Sequence, residues 1–142
     1  MIPEIKTVMV FGTFDLLHDG HVHFLTESKK YGDRLIIALA SDEVVLFLKG
    51  MLPFNSFAKR TANLSRLKIA DEIVAGDERP GNWNVLRYHR PDVVALGYDQ
   101  IILAAKLKKF LAKNPKPIEL IYIGSHKGNR LHSSILRSEM LI

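Results

Sequence analysis

The stretch GTFDLLHDGH, residues 12–21, sets two histidines three apart, with a glycine before the second, directly after the apolar run KTVMVF. If a helix starts here, His18 and His21 sit on its first turn and point to the same place. Backbone N–H groups at a helix N-terminus make an anion site, and Gly20 lets a phosphate approach with no Cβ in the way. Imidazoles donating to phosphate oxygens stabilise charge that builds up during displacement at phosphorus. Rival chemistries fit less well. A zinc site would need a third ligand from His23, His126 or His132, and the chain has no cysteine. No G-x-G-x-x-G marks a dinucleotide loop, and GSHKGNR (124–130) lacks the Walker spacing.

The elements that must position these groups alternate regularly. Short β-branched runs bounded by charge, Gly or Pro read as buried strands at 6–11, 34–40, 71–76, 92–97 and 118–124. Helical stretches fall between them at 20–31, 42–49, 56–69, 82–89 and 100–113, with a short last one near 133–140. Ser56 is a candidate cap for the third, where Leu64, Leu67 and Ala70 recur at helical spacing. The alternation predicts an α/β fold, a Rossmann-like doubly wound five-stranded parallel sheet with helices on both faces. Ligands of such sheets bind beyond the carboxyl ends of the strands, where strand order reverses.

At 142 residues the chain fits one domain. The lack of cysteine suits a reducing cytosol. The N-terminus has acidic Glu4 and Asp15 near its apolar run and no small-residue cleavage site, and no stretch is long enough to cross a bilayer. A cytoplasmic protein is the expectation. The charge is uneven: Lys plus Arg against Asp plus Glu is 12 to 13 over residues 1–100 and 8 to 2 over 101–142. A basic last third could meet an anionic small molecule, nucleic acid or only solvent. No helix-turn-helix, zinc-finger or aromatic RNA-binding signature favours nucleic acid.

GTFDLLHDGH resembles the G-x-F-D-x-x-H-x-G-H signature of the cytidylyltransferase-like nucleotidyltransferases, and LHSSILR (131–137) is similar to their second, serine-rich element, with His132 in place of its first hydroxyl residue. The resemblance implies transfer of a nucleotide from a nucleoside triphosphate to a phosphorylated acceptor, with release of pyrophosphate. It implies that Thr13 and Phe14 line the nucleotide with their backbone, that Asp19 and Gly20 join them there, and that His18 and His21 contact the triphosphate and the transition state. Lys49 corresponds to a lysine after the second helix, and Arg60 to an arginine on the next helix that positions acceptor or phosphates. Asp99 would hold the nucleotide, and Ser133, Ser134 and Arg137 the β- and γ-phosphates. Asp15 would serve the acceptor, with bracing its own loop weighed against binding a metal. No side chain is assigned to a metal; Mg²⁺ would arrive with the phosphates.

SDEVVLFLKG (41–50), RPDVVALGYDQ (90–100) and HSS (132–134) look closest to the archaeal-type FAD synthetases, which implies ATP plus FMN. CTP with glycerol 3-phosphate or a sugar phosphate is the alternative, and a non-catalytic nucleotide sensor is the alternative of another class. The resemblance implies a homodimer; apolar residues near 80–90, including Trp83, offer a pairing surface, unless Trp83 is buried in the monomer.

Overall fold

The computed structural model describes residues 4–79 and 81–124. Five strands, β1 (Thr7–Gly12), β2 (Arg34–Leu39), β3 (Glu72–Ala75), β4 (Val93–Gly97) and β5 (Glu119–Ile123), alternate with helices α1 (Asp19–Lys29), α2 (Asp42–Lys49), α3 (Phe57–Arg66), α4 (Asn84–His89) and α5 (Ile101–Leu111). The strands form one sheet in the order β3-β2-β1-β4-β5, and every pairing is parallel. The doubly wound fold expected from the alternation is the fold found.

The sheet is buried on both faces, which is why its central strands read as unbroken apolar runs. Side chains alternate between two cores at the strand period of two. Val8, Val10, Leu35, Ile37 and Val93 join Leu25 of α1 and Leu64 of α3 on one face. Met9, Ile36 and Val94 join Leu86 of α4 and Leu107 of α5 on the other. β1 lies in the middle, with β2 beside one edge and β4 beside the other. The chain winds outward from β1 through β2 to β3, then crosses back to β4. Strand order therefore reverses between β1 and β4, and the loops following these strands flank that crevice.

Helix ends differ from expectation for local reasons. α3 stops at Arg66 because Lys68 takes a left-handed conformation, φ 56°, a common way to end a helix. Leu67 and Ala70 still pack on the core from the turn that follows. Ser56 caps α3 as expected, its Oγ accepting from Lys59 N at 3.2 Å. α4 starts late because Trp83 is itself left-handed, φ 58°. That tryptophan, weighed as a dimer contact, is buried between Phe11 and Phe110, with ring centroids 5.8 and 6.1 Å away, so it is not surface for a second copy. Among the described residues no helix is long and apolar enough to cross a membrane. The helix expected near 133–140 lies outside the described residues.

Candidate active site

The loop after β1 runs into α1, and His18 is the N-cap residue of that helix. Its Nδ1 accepts from Gly20 N at 3.0 Å, while His21 Nδ1 accepts from His18 N at 3.3 Å. The two side chains thus cap the helix reciprocally, as Ser and Glu do in an ordinary capping box. The rings stack with centroids 3.9 Å apart. An imidazole nitrogen that accepts carries no proton, so each neutral ring must hold its proton on Nε2. Two Nε2–H donors result, held by one helix terminus.

This arrangement corrects one expectation. Gly20 N is engaged by His18, and His21 N bonds His18 O at 3.0 Å, so these helix-terminal N–H groups are not waiting for an anion. Gly20 is needed by the imidazole instead: a Cβ there would lie 2.9 Å from Cε1 of His18. Phosphate would meet the histidine edges before it met the backbone. Asp19 is exposed on the first helical turn, where a carboxylate favours the helix dipole.

His21 is half-buried, with the Phe14 ring edge-on at 5.5 Å and His18 stacked on it. Burial first, then the nearby His18 and Lys49, pull its pKa from 6.5 to about 4, against a smaller opposing pull from Asp15. His21 is therefore a neutral donor at physiological pH. Lys49 ends α2, just before left-handed Gly50 at φ 79°. Its charge is close enough to act on His21, which places the lysine near the histidine pair.

Phe14 is buried and also left-handed, φ 48°, a conformation that costs a non-glycine residue about 1–2 kcal/mol. Its ring tucks under Gly12, where a Cβ would come within 2.7 Å of Cε2. The strained turn is held from below by Arg60. That side chain is fully buried; its Nη1 donates to Thr13 O at 2.9 Å and Ala40 O at 2.8 Å, its Nε to Asn55 O at 3.0 Å, and its Nη2 to Asp42 Oδ1 at 2.7 Å. Arg60 ties the loops after β1 and β2 to the start of α2 and to the segment before α3. The expectation that it touches acceptor or phosphates is corrected: it has no exposed surface, and its guanidinium is engaged with the chain. Asp15 braces the same segment, its carboxylate accepting from Phe54 N at 2.6 Å and Asn55 N at 2.9 Å. Of its two roles weighed from sequence, the structure displays the brace.

Across the crevice, Gln100 begins α5. Its Oε1 accepts from Gly97 N at 2.8 Å and its Nε2 donates to Phe11 O at 3.0 Å, joining the ends of β4 and β1 at the reversal point. Asp99 beside it is buried, and loss of solvation pushes its carboxyl pKa up. Its Oδ1 occupies the space that a Cβ on Gly97 would need, 2.7 Å away. A cavity of about 300 Å³ is lined by Phe11 and Gly12 at the end of β1 and by Val44, Leu48, Trp83 and Ile102 among others. The cavity thus reaches the end of β1, the strand that leads into the loop before the histidine pair.

Sequence reasoning missed Gln100 and Asp42, each of which looks locally like any exposed polar residue near a helix start. It also missed Asp77 and Lys106 on the cavity lining. Ser133, Ser134 and Arg137 lie outside the described residues. Among the described residues no group of three or more His, Asp or Glu side chains is placed to hold a metal ion.

Comparison with known proteins agrees with this geometry. The sequence profile of the family described as Cytidylyltransferase-like matches residues 9–139. An FAD synthase of Thermococcus sibiricus is 39% identical over 116 residues, spanning 82% of this chain and 78% of that protein. An FAD synthase of Thermoplasma volcanium is 34% identical over 134 residues, 94% of this chain and 93% of the relative. A crystal structure described as a lipopolysaccharide core biosynthesis protein, also from Thermoplasma volcanium, superposes with a TM-score of 0.78 at 33% identity, covering 87% of this chain and 99% of that one. The pantoate-beta-alanine ligase of Francisella tularensis, 16% identical with a TM-score of 0.63 over 87% of this chain and 60% of its own, shares the fold. With a helix-capping histidine pair at the reversal point of a 3-2-1-4-5 sheet and a family match across most of its length, the chain belongs to the cytidylyltransferase-like nucleotidyltransferases.

Proposed function

We propose that this protein transfers AMP from ATP to FMN, giving FAD and pyrophosphate. The observation that carries the reading is an apolar cavity of about 300 Å³ that reaches Phe11 and Gly12 at the end of β1, the strand whose following loop leads to the histidine pair. It is supported by relatives named FAD synthase at 34–39% identity. A flavin ring would occupy the cavity, and its phosphate would reach past Gly12 and Thr13 toward the α-phosphorus of ATP. Glycerol 3-phosphate would leave the apolar walls uncovered.

An FMN phosphate oxygen attacks the α-phosphorus in line, the bond to the β-phosphate oxygen breaks, and pyrophosphate leaves with that electron pair. The attacking phosphate monoester has a second pKa near 6, so it arrives deprotonated and needs no general base. Nε2–H of His18 and His21 and the Lys49 ammonium donate to phosphate oxygens whose charge grows in the transition state. Thr13, Phe14, Asp19 and Asp99 line the nucleotide. Ser133, Ser134 and Arg137 receive the β- and γ-phosphates. Asp15 and Arg60 serve the acceptor by fixing the loops around it. Mg²⁺, which habitually binds through phosphates with one or two carboxylates, neutralises charge on the triphosphate when bound. A cytoplasmic homodimer is part of the same proposal, and light scattering that returns a monomer mass removes the dimer.

The test is pyrophosphate release with Mg²⁺, crossing ATP and CTP with FMN, glycerol 3-phosphate and pantetheine phosphate. Release with ATP and FMN alone is expected. Release only with CTP and glycerol 3-phosphate overturns the acceptor and nucleotide together, and nucleotide binding with no release in any pairing turns the reading to a sensor.

A further inference from the structure

The cavity is apolar along its walls and carries charge at two places. Asp77, on the turn after β3, and Lys106, on α5, are the charged side chains that line it among the described residues. Asp77 has a structural duty. Its Oδ1 accepts from Val85 N at 3.0 Å, capping α4 in place of Trp83, whose side chain makes no cap bond. One bond uses a fraction of a carboxylate's acceptor capacity. Lys106 lies four residues beyond Ile102 on the same helix face, with Ile102 on the wall beside it, and it makes no ion pair among the described residues.

A donor and an acceptor placed on an otherwise apolar cavity fix the orientation of whatever enters it. Lysine can only donate and an ionised aspartate can only accept. The isoalloxazine ring has an apolar dimethylbenzene end and a pyrimidinedione end, where an N3–H donor sits between two carbonyl acceptors. Given the FMN reading above, on which this step rests, we propose that Lys106 and Asp77 read the pyrimidinedione edge and determine acceptor specificity, Lys106 donating to a ring carbonyl oxygen and Asp77 accepting from N3–H. An acceptor without such an edge, a glycerol or pantetheine phosphate, leaves both charges unmatched.

The test uses the full chain and two substitutions, Lys106→Met and Asp77→Asn. Asparagine keeps an oxygen for Val85 N, so α4 stays capped. FMN affinity is read by isothermal titration calorimetry and turnover from FAD formation. Each substitution is expected to weaken FMN binding roughly tenfold or more, the scale of one charge-assisted hydrogen bond. KM for FMN should rise in step, while KM for ATP and kcat at saturating FMN stay within about twofold and Tm is unchanged. A purely structural role would instead move Tm, or both KM values. If wild type makes FAD and both variants bind FMN as tightly, the polar edge lies elsewhere and this proposal falls while the FMN reading stands. If wild type neither binds nor adenylates FMN, both fall.

Discussion

Replacing Arg60 by alanine should be among the most damaging single changes outside the histidine pair. The guanidinium makes four hydrogen bonds from a position with no exposed surface. Its removal orphans the carbonyls of Thr13, Ala40 and Asn55 and leaves Asp42 without its cation. Taking one partner from a buried ion pair costs about 3–5 kcal/mol, and an orphaned buried acceptor about 1–3 kcal/mol. These costs overlap, because the loops can relax toward water and the Asp42 side chain is already 33% exposed. A net loss of about 4 kcal/mol is expected, from a total that for such domains is about 5–15 kcal/mol. Urea unfolding followed by circular dichroism measures it. With a slope of about 2 kcal/mol/M the midpoint should fall by roughly 2 M, with the slope unchanged. Arg60→Lys should fall part of the way, since an ammonium has three donors and no planar fork, and it serves if the alanine variant does not fold. An alanine variant within about 1 kcal/mol of wild type that fails to bind substrate would refute the reasoning and return Arg60 to direct substrate contact.

Four further outcomes test the site. His18→Ala should lower turnover by roughly a hundredfold, the scale for one lost transition-state donor, with steady-state FAD formation as the assay; a fully active variant removes the role. Gly20→Ala should cut turnover at least tenfold with little change in Tm, because its Cβ displaces an exposed imidazole and no core atom; equal kcat would show that the His18 pose is immaterial. His21 should titrate near pH 4 by proton NMR in the free protein. Between about 4 and 6.5 the unfolded chain takes up a proton that the native form refuses, so this residue's contribution is full above 6.5 and falls by up to about 3 kcal/mol as pH drops toward 4; a midpoint at 6.5 refutes the burial account. Asp99 has the opposite sign: its raised pKa makes native stability decline as pH rises above 3.8. Asp99→Asn should raise Tm at pH 7, lose that gain below pH 4 and worsen KM for ATP, and a lower Tm at pH 7 contradicts the desolvation argument.

The strands and helices were legible because their signals are local. β2, RLIIAL, is an unbroken apolar run after Arg34 since a central parallel strand is buried on both faces, and α2, bounded by Ser41 and Gly50, was readable to the residue. The pairing of the two histidines on the first turn of α1 was legible, and their use as a helix cap was not. Imidazole caps a helix only when Nδ1 is unprotonated, a condition set by neighbours that spacing does not display. The resemblance gives Arg60 a substrate-facing role, and the sequence leaves Asp15 between a loop brace and a ligand. Their destination depends on where residues 40, 42 and 54–55 fold back against the loop, contacts 18 to 47 positions distant in sequence. Gln100 illustrates the same limit, since nothing around it foretells a bond to Phe11, 89 positions away.

The capping arrangement also bears on why neutral imidazoles stand where two lysines would bind phosphate more strongly. A fixed cation attracts ATP and pyrophosphate as well as the transition state, and binding energy spent equally on all of them does not raise kcat. A neutral Nε2–H is a weaker partner for ground-state phosphate and strengthens as charge accumulates on the oxygens it faces. Burial, then the nearby His18 and Lys49, keep His21 in that neutral form, while the backbone N–H bonds to Nδ1 leave the proton of each neutral ring on Nε2. On the proposed reading, the positive charge is left to Lys49, which ends α2 just before left-handed Gly50, and the imidazoles serve as neutral donors.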